Sequence, residues 1–108
     1  MAALSEVNEN TSAFMTIVPK DKSGSAVTPT SMSYRIDCET TGTAIKAATS
    51  LTPGTSVALT VTPTENRIIT ASNVEEIRVL TVQCVYSAAT DEIQEQFRWR
   101  VKNLEYTI

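Results

Sequence analysis

The sequence predicts an all-β fold, an antiparallel sandwich of two sheets built from about six or seven strands. Apolar and polar residues alternate with a period of two in the long stretch 74–104, which is typical of strands with one buried face. Turn-forming residues recur at roughly ten-residue spacing, and no segment has a helical period. These observations together favour a small β-domain.

The stretch 74–104 contains the clearest strands. Its apolar residues of one parity are Leu80, Val82, Cys84 and Tyr86 in the first run and Ile93, Phe97, Trp99 and Val101 in the second. The break at 87–91 is short and mostly small or polar. We therefore expect the two runs to form an antiparallel hairpin at the centre of the fold.

Shorter strands are predicted before this hairpin, at 13–18, 31–39, 43–47 and 56–62, and residues 67–70 could add a short edge strand. Pro19 and Pro63 end the first and the last of the four, because proline cannot donate to a strand ladder. Turns are expected at 40–42 and at Pro53-Gly54. The rings expected to join the aliphatic core are those of Phe14, Tyr34, Tyr86, Phe97 and Trp99.

The length of 108 residues allows one domain. We predict a single sandwich domain over 13–108 and an extended N-terminal arm over 1–12, which is polar and weakly patterned. Two interpretations of the arm remain open, a flexible terminus or a segment that becomes ordered against a neighbouring subunit. Because the first ten residues lack a signal-peptide pattern, we expect the mature chain to begin near Met1 and to fold in a cytoplasm.

Composition argues against several classes of partner. The net charge is −3 and the acidic and basic residues are interspersed, so no nucleic-acid partner is expected. No apolar stretch is long enough for a membrane-spanning helix, so no membrane partner is expected. The chain has two cysteines and no histidine, too few ligands for a zinc site. We therefore expect no cofactor and no metal.

Cys38 and Cys84 are the first candidates for chemistry, and both fall on apolar strand faces. They could form the disulfide that joins the second and sixth strands of immunoglobulin domains. Two buried free thiols are favoured instead, because cytoplasmic thiols stay reduced. Without histidine to activate a thiolate, and without a phosphate loop or nucleophile elbow, the chain is predicted not to be an enzyme.

The clustered carboxylates are expected to be solvated strand ends, since they lack calcium-loop spacing; they are Glu75, Glu76, Asp91, Glu92 and Glu95. Glu95 shares the parity of the neighbouring core residues Ile93 and Phe97. Either it lies beyond the core at the strand end, or a bulge shifts the register there.

The basic residues supply the candidate interface. Arg98, Arg100 and Lys102 form a row on one strand face, which is either simply solvated or a docking face for an acidic partner. Further candidates are Lys20 and Lys22 in the loop 20–29 and Arg67 in the loop 63–73.

Several short motifs recur in a known group of proteins. They are Tyr-Arg-Ile-Asp at 34–37, Thr-Thr-Gly with an isoleucine strand at 40–45, a Thr/Val strand at 56–62, Asn-x-Ile at 66–68 and an aromatic-x-Val-x-Asn-Leu run at 99–104. With these motifs, residues 31–104 resemble small structural proteins in the virions of tailed bacteriophages. The turn at 51–55 is also similar to one in fibronectin type III modules, although the aromatic residue expected after it is missing.

This resemblance implies an immunoglobulin-like or fibronectin-like virion component that decorates, cements or joins other subunits. The implied partners are capsid, neck or tail subunits, in many copies, and the implied location is the virion, after synthesis in the host cytoplasm. Such proteins carry no cofactor and no active site. The alternative is a carbohydrate- or protein-binding adhesion module of immunoglobulin-like fold.

Overall fold

The computed structural model describes residues 5–20, 23–86 and 92–104, which contain seven β-strands and no helix. In chain order the strands are β1 (Ser5–Asn8), β2 (Ala13–Ile17), β3 (Ser31–Cys38), β4 (Thr43–Leu51), β5 (Val57–Val61), β6 (Glu75–Val85) and β7 (Glu92–Lys102). The all-β prediction is confirmed for this part of the chain.

The strands form two sheets. One has five strands in the order β1-β7-β6-β3-β4, and the other consists of β2 and β5. β6 and β7 pair antiparallel without a register shift, from Glu75 opposite Lys102 to Val85 opposite Glu92. The predicted pairing of the last two strands is therefore confirmed, with β6 in the middle of the larger sheet, while the predicted turn at 87–91 lies outside the described residues.

The expectation of an entirely antiparallel fold is wrong. β1 runs parallel to β7, with Ser5 beside Trp99 and Asn8 beside Lys102, so the larger sheet is mixed. The four residues of β1 pair with the last four residues of β7. A four-residue polar strand has no internal pattern that indicates its partner or direction.

The predicted N-terminal arm differs from the structure over its described part, residues 5–12. Ser5–Asn8 forms β1, and the backbone N–H of Glu9 donates to the carbonyl of Lys102 at 2.9 Å. The carboxylate of Glu9 accepts from the backbone N–H of Leu104 at 2.8 Å. These residues are therefore fastened to the C-terminal strand, and residues 1–4 lie outside the described residues.

The other strands match their predictions with two differences. β4 continues to Leu51, four residues beyond the predicted end at 47. Residues 67–70 are not a strand, because the backbone N–H groups of Ile69 and Thr70 donate to the carboxylate of Glu76 instead of to a ladder. The turn before β4 is confirmed: Gly42 has a φ of 72°, which glycine adopts without strain, and its N–H donates to the carbonyl of Cys38.

The core lies between the sheets. β3 alternates buried and more exposed residues along its whole length, as its sequence predicts. The indole of Trp99 is buried, and its Nε1 donates to Oδ1 of Asn66 at 3.0 Å. Asn66 is itself fully buried and donates to the carbonyl of Thr11 at 2.7 Å. The loop after β5 is thereby tied to both β7 and the link between β1 and β2.

Candidate functional site

An apolar groove runs along the outer edge of β2, between that strand and the inner face of β7. It has two adjoining parts of about 370 and 450 Å³ that share Thr16, Ile17 and Phe97. The first part also touches β1, and the second extends to Cys84 and Tyr86. The groove exists because a sheet of two strands is narrower than the five-stranded sheet that it covers.

Two phenylalanines expected in the core line this groove instead. The side chain of Phe14 is 80% exposed and that of Phe97 is 44% exposed. Phe14 has the opposite parity to Met15 and Ile17, so it points away from the core. Phe97 has the inner parity, but the small sheet does not extend far enough to bury it. The prediction that both rings are core residues is wrong.

The edge of β2 that borders the groove is uncharged. Within residues 5–20, 23–86 and 92–104 no strand pairs with this edge, since β2 pairs only with β5. The five side chains of Ala13–Ile17 include no charge and no proline. The two edge strands of the larger sheet differ from β2 in this respect. β1 carries Glu6, and β4 carries Lys46 and pairs with β3 with register shifts. Charges and irregular pairing discourage strand addition, so β2 is the less protected edge.

Glu95 lies at the wall of the groove and is exposed. The unbroken register of β6 and β7 excludes the bulge considered above and favours the other interpretation, a position beyond the covered core. Burial raises the pKa of the neighbouring Cys84 thiol, and the negative charge of Glu95 raises it further. Cys84 is therefore held as a protonated thiol, which is a poor nucleophile.

Both cysteines are buried and unbridged, as the favoured interpretation of the sequence predicts. Cys38 and Cys84 lie on the inner faces of β3 and β6. Met32 on β3 is the residue directly opposite Cys84, whereas Arg78 on β6 is directly opposite Cys38. The two thiols are thus several ladder positions apart along one strand pair, and no disulfide joins them.

The basic row on β7 is balanced by acidic neighbours. Arg98 pairs with Glu39 at 3.3 Å, Arg100 with Glu75 at 3.8 Å, and Lys102 with Glu6 at 4.0 Å; all six side chains are 41–55% exposed. The outer face of β7 therefore presents alternating charges rather than a positive surface. Exposed pairs of this kind contribute little to stability, about 0–1 kcal/mol each.

The remaining interface candidates do not join this row. Lys20 follows β2 beside the groove, where its carbonyl accepts from the hydroxyl of Tyr86 at 2.6 Å. Arg67 lies in the loop after β5, and its carbonyl accepts from the guanidinium of Arg78. Lys22 lies outside the described residues. The predicted basic residues are thus spread over different parts of the molecule.

A buried ion pair lies at the other end of β6. The side chains of Glu76 and Arg78 are both 0% exposed, and Oε1 of Glu76 is 3.1 Å from Nη1 of Arg78. The Glu76 carboxylate also accepts from the N–H groups of Ile69 and Thr70 and from the Asn73 amide, at 2.9–3.0 Å. The expectation that Glu76 is a solvated carboxylate is wrong.

This ion pair holds the loop between β5 and β6. Arg78 donates to the carbonyls of Glu65 and Arg67 and to Sγ of Cys38. Burial by itself would raise the pKa of Glu76, but the hydrogen bonds from the loop and Arg78 outweigh burial and hold that pKa below its ordinary value of 4.5. Every partner of the carboxylate is a donor, so the group is a structural anchor in its ionised form.

A sequence signal for this cluster exists. Glu76 and Arg78 continue the parity of Leu80, Val82 and Cys84, so two opposite charges lie in register with the core face of the strand. Charges on a core parity must be paired to be buried. Two opposite charges that are two residues apart on a core face are therefore the sequence signal that could have indicated this buried ion pair.

The described residues contain no group of three or more acidic, cysteine or histidine side chains that could hold a metal ion. None of their segments forms a helix that is long and apolar enough to span a membrane. Comparisons of the chain with protein-family models, curated proteins and solved structures find no match.

Proposed function

We propose that this chain is a non-enzymatic structural component that binds neighbouring protein subunits in an assembly. The observation that carries the proposal is the groove along β2, where an uncharged strand edge lies beside two exposed phenylalanines. Exposed apolar surface next to a strand with unpaired backbone groups is typical of protein–protein contacts. The nature of the assembly rests on the sequence motifs at 34–37, 40–45 and 99–104, which favour the virion of a tailed bacteriophage, with capsid, neck or tail subunits as partners.

The alternative is an adhesion module that binds a carbohydrate or another protein. One observation favours it, namely that Phe14 and Phe97 line the same groove, since sugar rings stack on exposed aromatic faces. The alternative predicts binding to a glycan array by the isolated protein. The structural proposal predicts no such binding.

Quantitative mass spectrometry of purified particles tests the structural proposal. In phage particles whose genome encodes this chain, we expect a fixed copy number relative to the main shell protein, maintained through a density gradient. Absence of the chain from the particles would overturn the virion proposal.

Two matched variants test the groove as the contact surface. Phe14→Ser removes an 80% exposed ring at the groove, whereas Val74→Ser removes a 78% exposed apolar side chain that lines neither part of the groove. Both should fold with stability close to that of the parent, because surface substitutions change it by about 0.5 kcal/mol or less. Only Phe14→Ser should reduce incorporation into particles. Equal incorporation of the two variants would place the contact elsewhere.

A further inference from the structure

We propose that the outer edge of β2 pairs with the outer edge of β2 in a second copy of this chain, antiparallel and centred on Met15. The inference rests on the proposed function, in which the groove along β2 is a contact surface. It names the occupant of that surface as the same protein. The resulting four-stranded sheet would run β5-β2-β2-β5 across a two-fold axis.

The side chains of β2 are compatible with themselves in this arrangement. Antiparallel pairing about Met15 places Phe14 opposite Thr16 of the second copy on the outer face, and Ala13 opposite Ile17 on the inner face. No charge faces a like charge along the strand. Pairing of an aromatic with a β-branched residue is among the favourable cross-strand combinations.

The charges at the two ends of β2 favour the antiparallel direction. Glu9 precedes the strand and Lys20 follows it. An antiparallel pair brings Lys20 of one copy beside the Asn10–Glu9 link of the other, and the two-fold axis repeats this contact. A parallel pair would instead bring like ends together. The opposite charges of Lys20 in one copy and Glu9 in the other therefore favour a second copy of this chain as the partner and the antiparallel direction for the pairing.

The edge of β5 is a less suitable place for the same contact. β5 is also uncharged, but Glu65 in the loop after it accepts from the backbone N–H of Thr62 and pairs with Lys46 of β4 at 3.5 Å. Charges therefore border that edge. A strand added at β2 would moreover cover the groove, and its inner side chains would bury Phe97, which adds apolar contact area.

Sedimentation velocity of the purified full-length chain tests the proposal, over about 1 µM to 1 mM protein. We expect a concentration-dependent dimer. Thr16→Lys should weaken dimerisation by about tenfold or more, because a lysine at an edge strand opposes strand addition. Thr60→Lys is the matched control: it adds the same charge to the same outer face, but on β5, and should leave the dissociation constant within about twofold.

A cysteine cross-link tests the register. Residues directly opposite each other have Cβ atoms about 4.5–5.5 Å apart, which is near disulfide range, so Met15→Cys should give a covalent dimer under mild oxidation. Thr60→Cys should not. A wild-type chain that stays monomeric throughout, or a dimer that resists Thr16→Lys and dissociates with Thr60→Lys, overturns the proposal. A monomer that still enters particles would overturn the β2 pairing alone and leave the proposed function standing.

Discussion

Replacing Glu76 by glutamine tests the role of the buried ion pair. The substitution keeps the shape of the side chain, but it removes the charge and replaces one oxygen by an NH₂ group. Both carboxylate oxygens accept hydrogen bonds, and each partner is a donor; the donors belong to Cys38, Ile69, Thr70, Asn73 and Arg78. Whichever way the amide is turned, its NH₂ therefore faces donors, and the guanidinium of Arg78 remains buried without a counter-charge.

The expected loss in the free energy of unfolding is large. Removing one partner of a buried ion pair costs about 3–5 kcal/mol, because the remaining charge stays out of water. Domains of this size are stable by about 5–15 kcal/mol in total, so the loss is a substantial fraction. It corresponds to a decrease in Tm of at least about 12 °C.

Urea denaturation followed by the fluorescence of Trp99 measures this loss, since Trp99 is the single tryptophan and is buried. Glu75→Gln is the matched control, because Glu75 is the preceding residue, its side chain is 50% exposed, and its pair with Arg100 spans 3.8 Å. The control should lose less than about 1 kcal/mol.

The double variant Glu76→Gln with Arg78→Met separates the ion pair from the loop contacts. If the unpaired guanidinium causes the loss, the double variant should be less destabilised than the sum of the single variants, with a coupling energy of about 1–3 kcal/mol. A loss for Glu76→Gln no larger than that for Glu75→Gln would refute the reasoning. Strict additivity in the double variant would refute the ion pair as the cause.

Further predictions concern pH, a buried amide and a turn. Because the pKa of Glu76 is lowered in the folded state, the contribution of Glu76 to stability is complete above its unfolded pKa of 4.5 and is lost as the pH falls through the lower folded pKa. The free energy of unfolding should therefore depend less steeply on pH in this acidic range for Glu76→Gln than for the parent, and an equal slope would contradict this. Asn66→Ala should cost about 1–3 kcal/mol, because the Trp99 indole N–H loses its acceptor in a buried site, and calorimetry with near-UV circular dichroism measures the change. Gly42→Ala should cost about 1–2 kcal/mol because Gly42 has a φ of 72°, whereas Gly54→Ala, at a residue without positive φ, should be nearly neutral in the same thermal melts.

The sequence predicted those elements in which a period of two coincides with one buried face. β3, β5, β6 and β7 have such alternation, and their existence and type follow from it. The pairing of β6 with β7 was also predicted, because only a short polar break separates the two strands. β1 could not be found in this way, because SEVN is four residues long and has only one apolar side chain. The direction of β1 is fixed by hydrogen bonds to β7 and by the contacts of Glu9, which are tertiary.

The candidate site was less accessible from the sequence than the fold. Parity places Phe97 on the inner face, but whether an inner residue is covered depends on the width of the opposite sheet. The row of Arg98, Arg100 and Lys102 was visible, whereas the acids that balance it come from β1, β6 and the turn after β3. Such neighbours are set by strand order, which alternation does not specify.

The parallel pairing of β1 with β7 has a mechanical consequence. Ser5, at the start of β1, lies beside Trp99, whereas Lys102, at the end of β7, lies beside Asn8. Tension applied between Ser5 and Lys102 therefore pulls the two strands lengthwise in opposite directions. Their hydrogen bonds are then loaded in shear and must yield together. In an antiparallel pair pulled from its adjacent ends, the bonds would open one after another. A chain with this arrangement resists tension that is applied between the start of β1 and the end of β7.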